Sequence, residues 1–182
     1  MKIEMILAVS KNGVIGVENR LPWRLKGELS YFKEKTMGTT LVCGRKTFES
    51  FGSRPLPGRD SIVLTSQPES LEVKGELKKE KVIPVSSYDQ ALSEARALGK
   101  DVMIIGGSTL YSEFIRKLEL GLERVYLTRV HGAFEGDAFF EYSLSDYGFG
   151  SKSSDCGIGK EHPDNQYDFT FEVWDRESED EG

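Results

Sequence analysis

The 182-residue chain lacks the features of several protein classes. Its two cysteines, Cys43 and Cys156, lie far apart, which excludes a disulfide-rich secreted scaffold. It has no apolar run of about 18 residues, so we expect no membrane span. The first residues carry an acid and enter a strand pattern at once, unlike a signal peptide. With Cys43 inside an apolar run as a buried free thiol, the sequence predicts a cytoplasmic protein.

Motifs for several chemistries are also missing. His131 and His162 are isolated from other metal-ligand residues, so we expect no metal site and no Ser-His-Asp hydrolase. No G-x-G-x-x-G follows a strand, and there is no Walker A sequence. The net charge of −6 argues against nucleic acid or an anionic membrane surface as the main partner.

What is present is an alternation of apolar strands and amphipathic helices in a chain long enough for one core. It predicts one α/β domain over residues 1–175 and an acidic, disordered tail over 176–182. Strands are expected at 3–9, 39–43, 61–65, 82–85, 102–105 and 125–130, with helices starting near Arg24, at Arg45, after Ser87 and after Ser108. A strand at 147–149, a loop over 151–165 and a strand at 167–174 would form a late antiparallel hairpin. The Lys/Glu-rich residues 68–81 are expected to be a surface excursion.

One acid lies on an apolar helix face. Read as a helix, the chain puts Leu25, Leu29 and Phe32 on one stripe, and Glu28 projects from it. A carboxylate in such a place either reaches water at the edge or holds a polar ligand in an apolar pocket. Trp23 just upstream, with a large apolar surface and one N–H donor, favours the pocket.

Two strand ends have ligand-binding features. Gly44 ends a buried strand, and a helix opening with Arg45, Lys46 and Thr47 follows, which favours an anion site over a merely solvated basic turn. Gly106 and Gly107 end the most apolar strand, where backbone can approach a ligand closely, although they could also form only a tight turn.

Six blocks, in order, resemble the dihydrofolate reductase family over residues 3–174. They are residues 14–23 with 28–33, 44–50, 55–59, 105–107, 126–128 and 135–137. The resemblance implies a three-layer fold with an eight-stranded, mostly parallel sheet, an antiparallel C-terminal hairpin and flanking helices. It also implies reduction of 7,8-dihydrofolate to tetrahydrofolate with NADPH, in a protein inhibited by antifolates.

The resemblance assigns roles to individual residues. Glu28 would bind the pterin and assist protonation at N5 while hydride reaches C6; Trp23 and Thr128 would hold the acid and its water; and Leu21 lies on the mobile lid. The implied substrate-binding residues are Ile6, Leu7, Glu28, Phe32, Phe51, Arg54, Leu56, Arg59, Ile105 and Thr128. The implied cofactor-binding residues are Ala8, Ile15, Gly16, Gly44, Arg45, Lys46, Thr47, Leu64, Thr65, Ser66, Ile105, Gly106, Gly107, Ser108, Thr109, Leu110 and Tyr111.

The sequence departs from the family pattern in places. The turn Gly52-Ser53-Arg54 is one residue longer than in some relatives, and the excursion 68–81 has no family role. Two alternatives remain: the pyrimidine reductase of riboflavin synthesis, which shares the fold, and a non-catalytic folate- or nucleotide-binding module. A monomer is the expected oligomeric state.

Overall fold

The computed structural model describes residues 1–75, 79–156 and 167–178. Within them, the strands are β1 (Ile3–Ser10), β2 (Val14–Gly16), β3 (Thr40–Gly44), β4 (Asp60–Leu64), β5 (Val82–Val85), β6 (Val102–Gly106), β7 (Arg124–Val130), β8 (Ala138–Phe139), β9 (Phe149–Cys156) and β10 (Phe169–Arg176). The α-helices are α1 (Lys26–Thr36), α2 (Arg45–Ser50), α3 (Tyr88–Leu98) and α4 (Ser108–Arg116). No helix among these residues is long and apolar enough to cross a membrane.

Eight strands form one sheet in the order β5-β4-β3-β6-β1-β7-β10-β9. The pairs from β5 to β7 are parallel, whereas β10 is antiparallel to both β7 and β9. The predicted α/β fold, with a mostly parallel eight-stranded sheet and an antiparallel C-terminal hairpin, is therefore confirmed. The connections between successive parallel strands contain α1, α2, α3 and α4, except the one from β4 to β5, whose described part contains only a short 3-10 helix at Pro68–Ser70.

The core lies on both faces of this sheet. Alternate residues of β1 point to opposite sides, so Met5, Leu7 and Val9 join one buried cluster with α3 and α4, while Ile6 joins another with Phe48 of α2. Cys43 in β3 is fully buried, as predicted, and burial raises the pKa of its thiol to about 12. The apolar strands are thus covered on both faces, as in a three-layer fold.

The start of α1 differs from the prediction. The helix begins at Lys26, and Leu25 precedes it as a buried N-cap residue. Leu29 is 54% exposed, so of the predicted stripe only Leu25 is buried and Phe32 half-buried. Side-chain spacing alone could not show this, because it does not say how wide a face the neighbouring elements cover.

The late hairpin also differs from the prediction. β9 continues from Phe149 through Cys156, so the loop expected from residue 151 is wrong for 151–156, whose polar residues lie on an edge strand. Residues 157–166 are outside the described residues. β10 extends to Arg176, one residue beyond the predicted domain boundary, and residues 179–182 of the predicted tail are outside the described part.

A small second sheet was not predicted. β2 pairs with β8 in antiparallel orientation, and Asp137 donates its backbone N–H to the Gly16 carbonyl oxygen at 3.1 Å. Both segments are short and rich in turn-forming residues, so neither has the period-2 pattern of a long strand. The pairing fixes the start of the segment that leads to Trp23.

Candidate functional site

The Glu28 carboxyl group lies in the first turn of α1, next to the buried indole of Trp23. The Trp23 Nε1–H donates to Glu28 Oε2 at 3.1 Å. Burial removes the carboxylate from water and raises the pKa of Glu28 from 4.5 to about 7, and the Trp23 hydrogen bond only partly opposes this rise. The carboxyl group of Glu28 is thus partly removed from water, and its role in holding a polar ligand stays a prediction.

Apolar residues of β1, β6, α1 and the turn after α2 meet on one face of the sheet. Ile6 of β1 and Ile105 of β6 belong to the buried cluster around Phe48, and half-buried Phe32, Phe51 and Leu56 pack against it. Five of the predicted substrate-binding residues thus come together. They form a wall that a flat aromatic ligand could contact.

Leu7 does not belong to this wall. It packs in the cluster on the opposite face of the sheet, because successive side chains of a strand point to opposite sides. The expectation that the Leu7 side chain lines the substrate pocket is therefore wrong. Ala8, by contrast, is buried with Trp23 and Leu25, and Thr128 of β7 lies beside it in register.

Arg59 is a buried cation with neutral partners. Its Nε–H donates to the Pro57 carbonyl oxygen at 3.0 Å, and Nη1–H donates to Thr36 Oγ1 at 2.9 Å. Burial lowers its pKa, and no carboxylate within the described ranges forms an ion pair with it. Arg54, the second predicted rim residue, is exposed.

The glycine pair lies where β6 leads into α4. The Gly106–Gly107 peptide is cis, and Gly106 has φ +119°, a conformation that favours glycine. A Cβ on Gly106 would lie 3.1 Å from the Tyr111 hydroxyl, and one on Gly107 would lie 3.5 Å from Thr47 Oγ1. The pair therefore brings the ends of β6 and α2 together.

Of the four predicted cofactor-binding residues in α4, two line the surface and two are buried. Ser108 and Thr109 line a surface depression with Phe139 and Tyr142. Leu110 and Tyr111 are buried, and the Tyr111 hydroxyl donates to the Ile6 carbonyl oxygen at 2.9 Å. The hydroxyl of Tyr111 therefore ties α4 to β1 behind the site.

Other predicted cofactor-binding residues surround the same edge of the sheet. Arg45 and Lys46 are exposed at the start of α2, and Arg45 is ion-paired with Glu49 at 2.6 Å. Thr65 is buried just after β4, its Oγ1 accepting the Gln67 N–H, while Leu64 is half-buried and Ser66 is exposed. Gly44 is half-buried between α2 and β6.

The segment between β2 and Trp23 is held at two points. The Glu18 N–H donates to Asp137 Oδ2 at 2.9 Å, and Asn19 Nδ2 donates to the Lys46 carbonyl oxygen at 2.8 Å. Ile15 and Gly16 are half-buried at its start, and Leu21 is 45% exposed. The segment therefore bridges from the small sheet to the basic end of α2.

Several site-supporting residues were missed from the sequence. Tyr31, one turn beyond Glu28, stacks on Phe171 of β10 with ring centroids 3.9 Å apart, and Phe134 packs edge-on against Trp23. Phe134 and Phe171 are more than 100 residues away in the chain, so no local pattern could have shown these contacts. Tyr31 could have been found by its three-residue spacing from Glu28.

Comparison with known proteins agrees with this architecture. The sequence model for dihydrofolate reductase matches residues 2–176. The chain is 35% identical to a dihydrofolate reductase of Buchnera aphidicola (97% of this chain, all of the relative) and 36% identical to one of Bacillus subtilis (97% and 95%). A solved dihydrofolate reductase from Enterococcus faecalis, complexed with NADP(H) and RAB-propyl, superimposes with a TM-score of 0.79 at 34% identity, covering 97% of each chain.

These matches place the protein among the NADP-dependent oxidoreductases. The chain belongs to the dihydrofolate reductase family. The resemblance inferred from the sequence, the enzyme class and the expected NADPH cofactor are thereby confirmed.

Proposed function

We propose that this protein reduces 7,8-dihydrofolate to 5,6,7,8-tetrahydrofolate with NADPH, and so supplies one-carbon metabolism and thymidylate synthesis. The observation that carries the proposal is the half-buried Glu28 carboxyl group, which accepts from the buried Trp23 indole and has a pKa raised to about 7. Family membership supports the reaction class, and the arrangement around Glu28 supports the roles of individual residues.

Glu28 is suited to recognise one edge of the pterin ring. The ring offers N3–H and a 2-amino group side by side, and a carboxylate can accept from both at once. Ile6, Ile105 and Phe32 would contact the ring itself, since they contribute apolar surface to one cluster on one face of the sheet. The acid thus orients the ring while the wall excludes water.

The same acid is suited to assist protonation. NADPH, when bound, supplies the hydride that adds to C6 of the N5=C6 double bond, and N5 must gain one proton. A carboxyl group with a pKa near 7 keeps a protonated fraction at neutral pH and so can help deliver that proton. Thr128 and Trp23 would position the acid and a bridging water.

The far end of the substrate would reach Arg59. Its guanidinium has five N–H donors, of which two are used by neutral oxygens in the described structure. The others can form a bidentate pair with the substrate's glutamate carboxylate. Phe51 and Leu56 would contact the benzoyl group between the two charged ends, with Arg54 at the rim.

The opposite side of the site fits the cofactor. Glycines at 44 and 107 leave backbone without a Cβ between the ends of β3, β6 and α2. Arg45, Lys46 and Thr47, with Thr65 and Ser66, would hold the phosphates, including a 2′-phosphate that distinguishes NADPH from NADH. Ser108 and Thr109 would approach the pyrophosphate, and Ala8, Ile15 and Gly16 the nicotinamide.

The test is the initial rate of NADPH oxidation with and without 7,8-dihydrofolate, with NADH in parallel. We expect oxidation to require dihydrofolate, to prefer NADPH and to fall as pH rises through about 7, because the protonated form of Glu28 is then lost. Binding of both ligands without turnover would favour a binding module. Turnover only with a ribosylated pyrimidine would favour the other reductase.

A further inference from the structure

The excursion after β4 folds back onto the turn that carries the substrate-tail residues. Its described parts, residues 71–75 and 79–81, are here called the strap. The Lys74 N–H donates to the Ser53 carbonyl oxygen at 2.8 Å, and the Gly58 N–H donates to Glu80 Oε1 at 2.9 Å. The strap is therefore hydrogen-bonded to the turn Ser53–Arg59 near both of its ends.

Further contacts strengthen this attachment. Leu71 packs against the same buried cluster as Phe51 and Leu56, so the strap begins on the wall of the substrate pocket. The Arg54 side chain lies against Gly75, where an added Cβ would be 3.7 Å from Arg54 Cδ. At the other end, the Lys81 N–H donates to Asp60 Oδ1 at 2.8 Å, directly after Arg59.

The backbone conformation of the turn Ser53–Arg59 is stabilised by contacts with other segments. Ser53, in the turn that is one residue longer than in some relatives, is buried with φ +55°, a conformation that costs about 1 kcal/mol or more for a residue other than glycine. Gly58 has φ +76°, and a Cβ there would lie 2.8 Å from Met37 Sδ. The turn is thus fixed by contacts with α1 on one side and with the strap on the other.

We propose that the strap is a positioning element that sets the affinity of Arg59 for the carboxylate tail of the substrate. The inference rests on the proposed function. Glu80 holds the Pro57–Gly58 peptide, one residue before Arg59, and Lys74 holds Ser53 at the start of the turn, five residues before Gly58. Neither residue is placed against the reacting ring, so the strap acts through the turn and affects tail binding rather than the chemical step.

The experiment compares two pairs of matched variants. Glu80→Ala removes the acceptor for the Gly58 N–H, whereas Glu80→Gln keeps an oxygen in its place. Lys74→Pro removes the N–H that reaches Ser53, whereas Lys74→Ala keeps it and removes only the side chain. Each is assayed for kcat and KM with 7,8-dihydrofolate and, by calorimetry, for binding of dihydrofolate and of dihydropteroate, which lacks the glutamate.

For Glu80→Ala and Lys74→Pro we expect KM for dihydrofolate to rise about 5–10-fold. A change of this size corresponds to the net free-energy contribution of about one hydrogen bond. We expect kcat and dihydropteroate affinity to change less than about twofold, and both controls to resemble wild type. Equal weakening of both ligands, or no change in either, would overturn the inference. If wild type itself bound both ligands equally, the role proposed for Arg59 would fail instead.

Discussion

Carboxyl groups at the two ends of the central sheet have different hydrogen-bond partners and opposite pKa shifts. Near the carboxyl ends of β1 and β6, Glu28 accepts from the neutral Trp23 indole, and burial raises its pKa to about 7. At the amino end of β7, Asp175 accepts two N–H bonds from Arg124, at 2.5 and 2.8 Å, and its pKa is lowered. A carboxylate paired with a guanidinium stays ionised, whereas one beside an indole can exchange its proton near neutral pH.

The two arginines repeat this contrast. Burial lowers the pKa of Arg59, whose described partners are neutral oxygens, while the Asp175 hydrogen bond raises the pKa of Arg124. At the amino end the polar groups Arg124 and Asp175 satisfy one another, and they line a surface depression with Lys2, Glu4, Glu123 and Arg176. Those at the carboxyl end keep donors and acceptors for a ligand. The difference distinguishes a binding site from a structural ion pair on the same sheet.

The largest expected effect comes from removing the carboxyl group of Glu28, with the same change at Asp175 as the comparison. Glu28→Gln cannot release or accept the carboxyl proton, so kcat/KM for dihydrofolate should fall about 100-fold or more. Glu28→Asp, which keeps the carboxyl group, should retain most of the activity. Asp175→Asn, the matched change at the other end, should leave kcat/KM unaffected. Steady-state kinetics check all three, and full turnover by Glu28→Gln would remove the acid from the mechanism.

The raised pKa of Glu28 also predicts a pH dependence of stability. Between pH 4.5 and about 7 the folded protein holds a proton at Glu28 that the unfolded chain releases. This contribution to the free energy of unfolding therefore decreases as pH rises, by roughly 3 kcal/mol over that window. Urea unfolding of wild type and Glu28→Gln at pH 5 and pH 8 measures it. We expect the variant to gain on wild type at pH 8, and an unchanged difference would contradict the raised pKa.

The smallest effects are expected from replacing Arg59 and Arg124, one at each end of the sheet. Arg59→Met should raise KM for dihydrofolate about 30-fold, as expected when one partner of a buried charged pair is removed, with kcat little changed. Arg124→Met should leave KM unchanged and lower the free energy of unfolding by about 1 kcal/mol or less, because the Arg124–Asp175 pair is partly exposed. Equal KM values for the two variants would contradict the assigned difference.

Most of the sheet could be predicted because its central strands are nearly continuous apolar runs. The cap of α3 was equally clear: Ser87 Oγ accepts the Gln90 N–H at 3.1 Å, as its capping sequence indicates. β9 was predicted as loop from Ser151 onward because an edge strand needs no apolar pattern. β2 and β8 were missed because their stability comes from pairing across more than 100 residues.

The site was predictable where the chemistry is local. Trp23 and Glu28 are five residues apart, so their contact follows from the start of one helix. Leu7 was assigned to the wrong face because its assignment came from the family resemblance. The alternation of side chains along β1 places Leu7 on the opposite face from Ile6. The turn Gly52-Ser53-Arg54 was predicted only to be one residue longer than in some relatives, because the contact of Ser53 with Lys74, which lies after β4, has no local pattern.

The position of β1 has a consequence for synthesis of the chain. The first strand made lies between β6 and β7, so about 90 residues must follow before either neighbour exists. At roughly 5–20 residues per second this delay is about 5–20 s, during which the apolar side chains of β1 have no sheet to join. Pairing of β1 with its neighbours therefore has to wait for the second half of the chain, however strongly its own residues favour a strand.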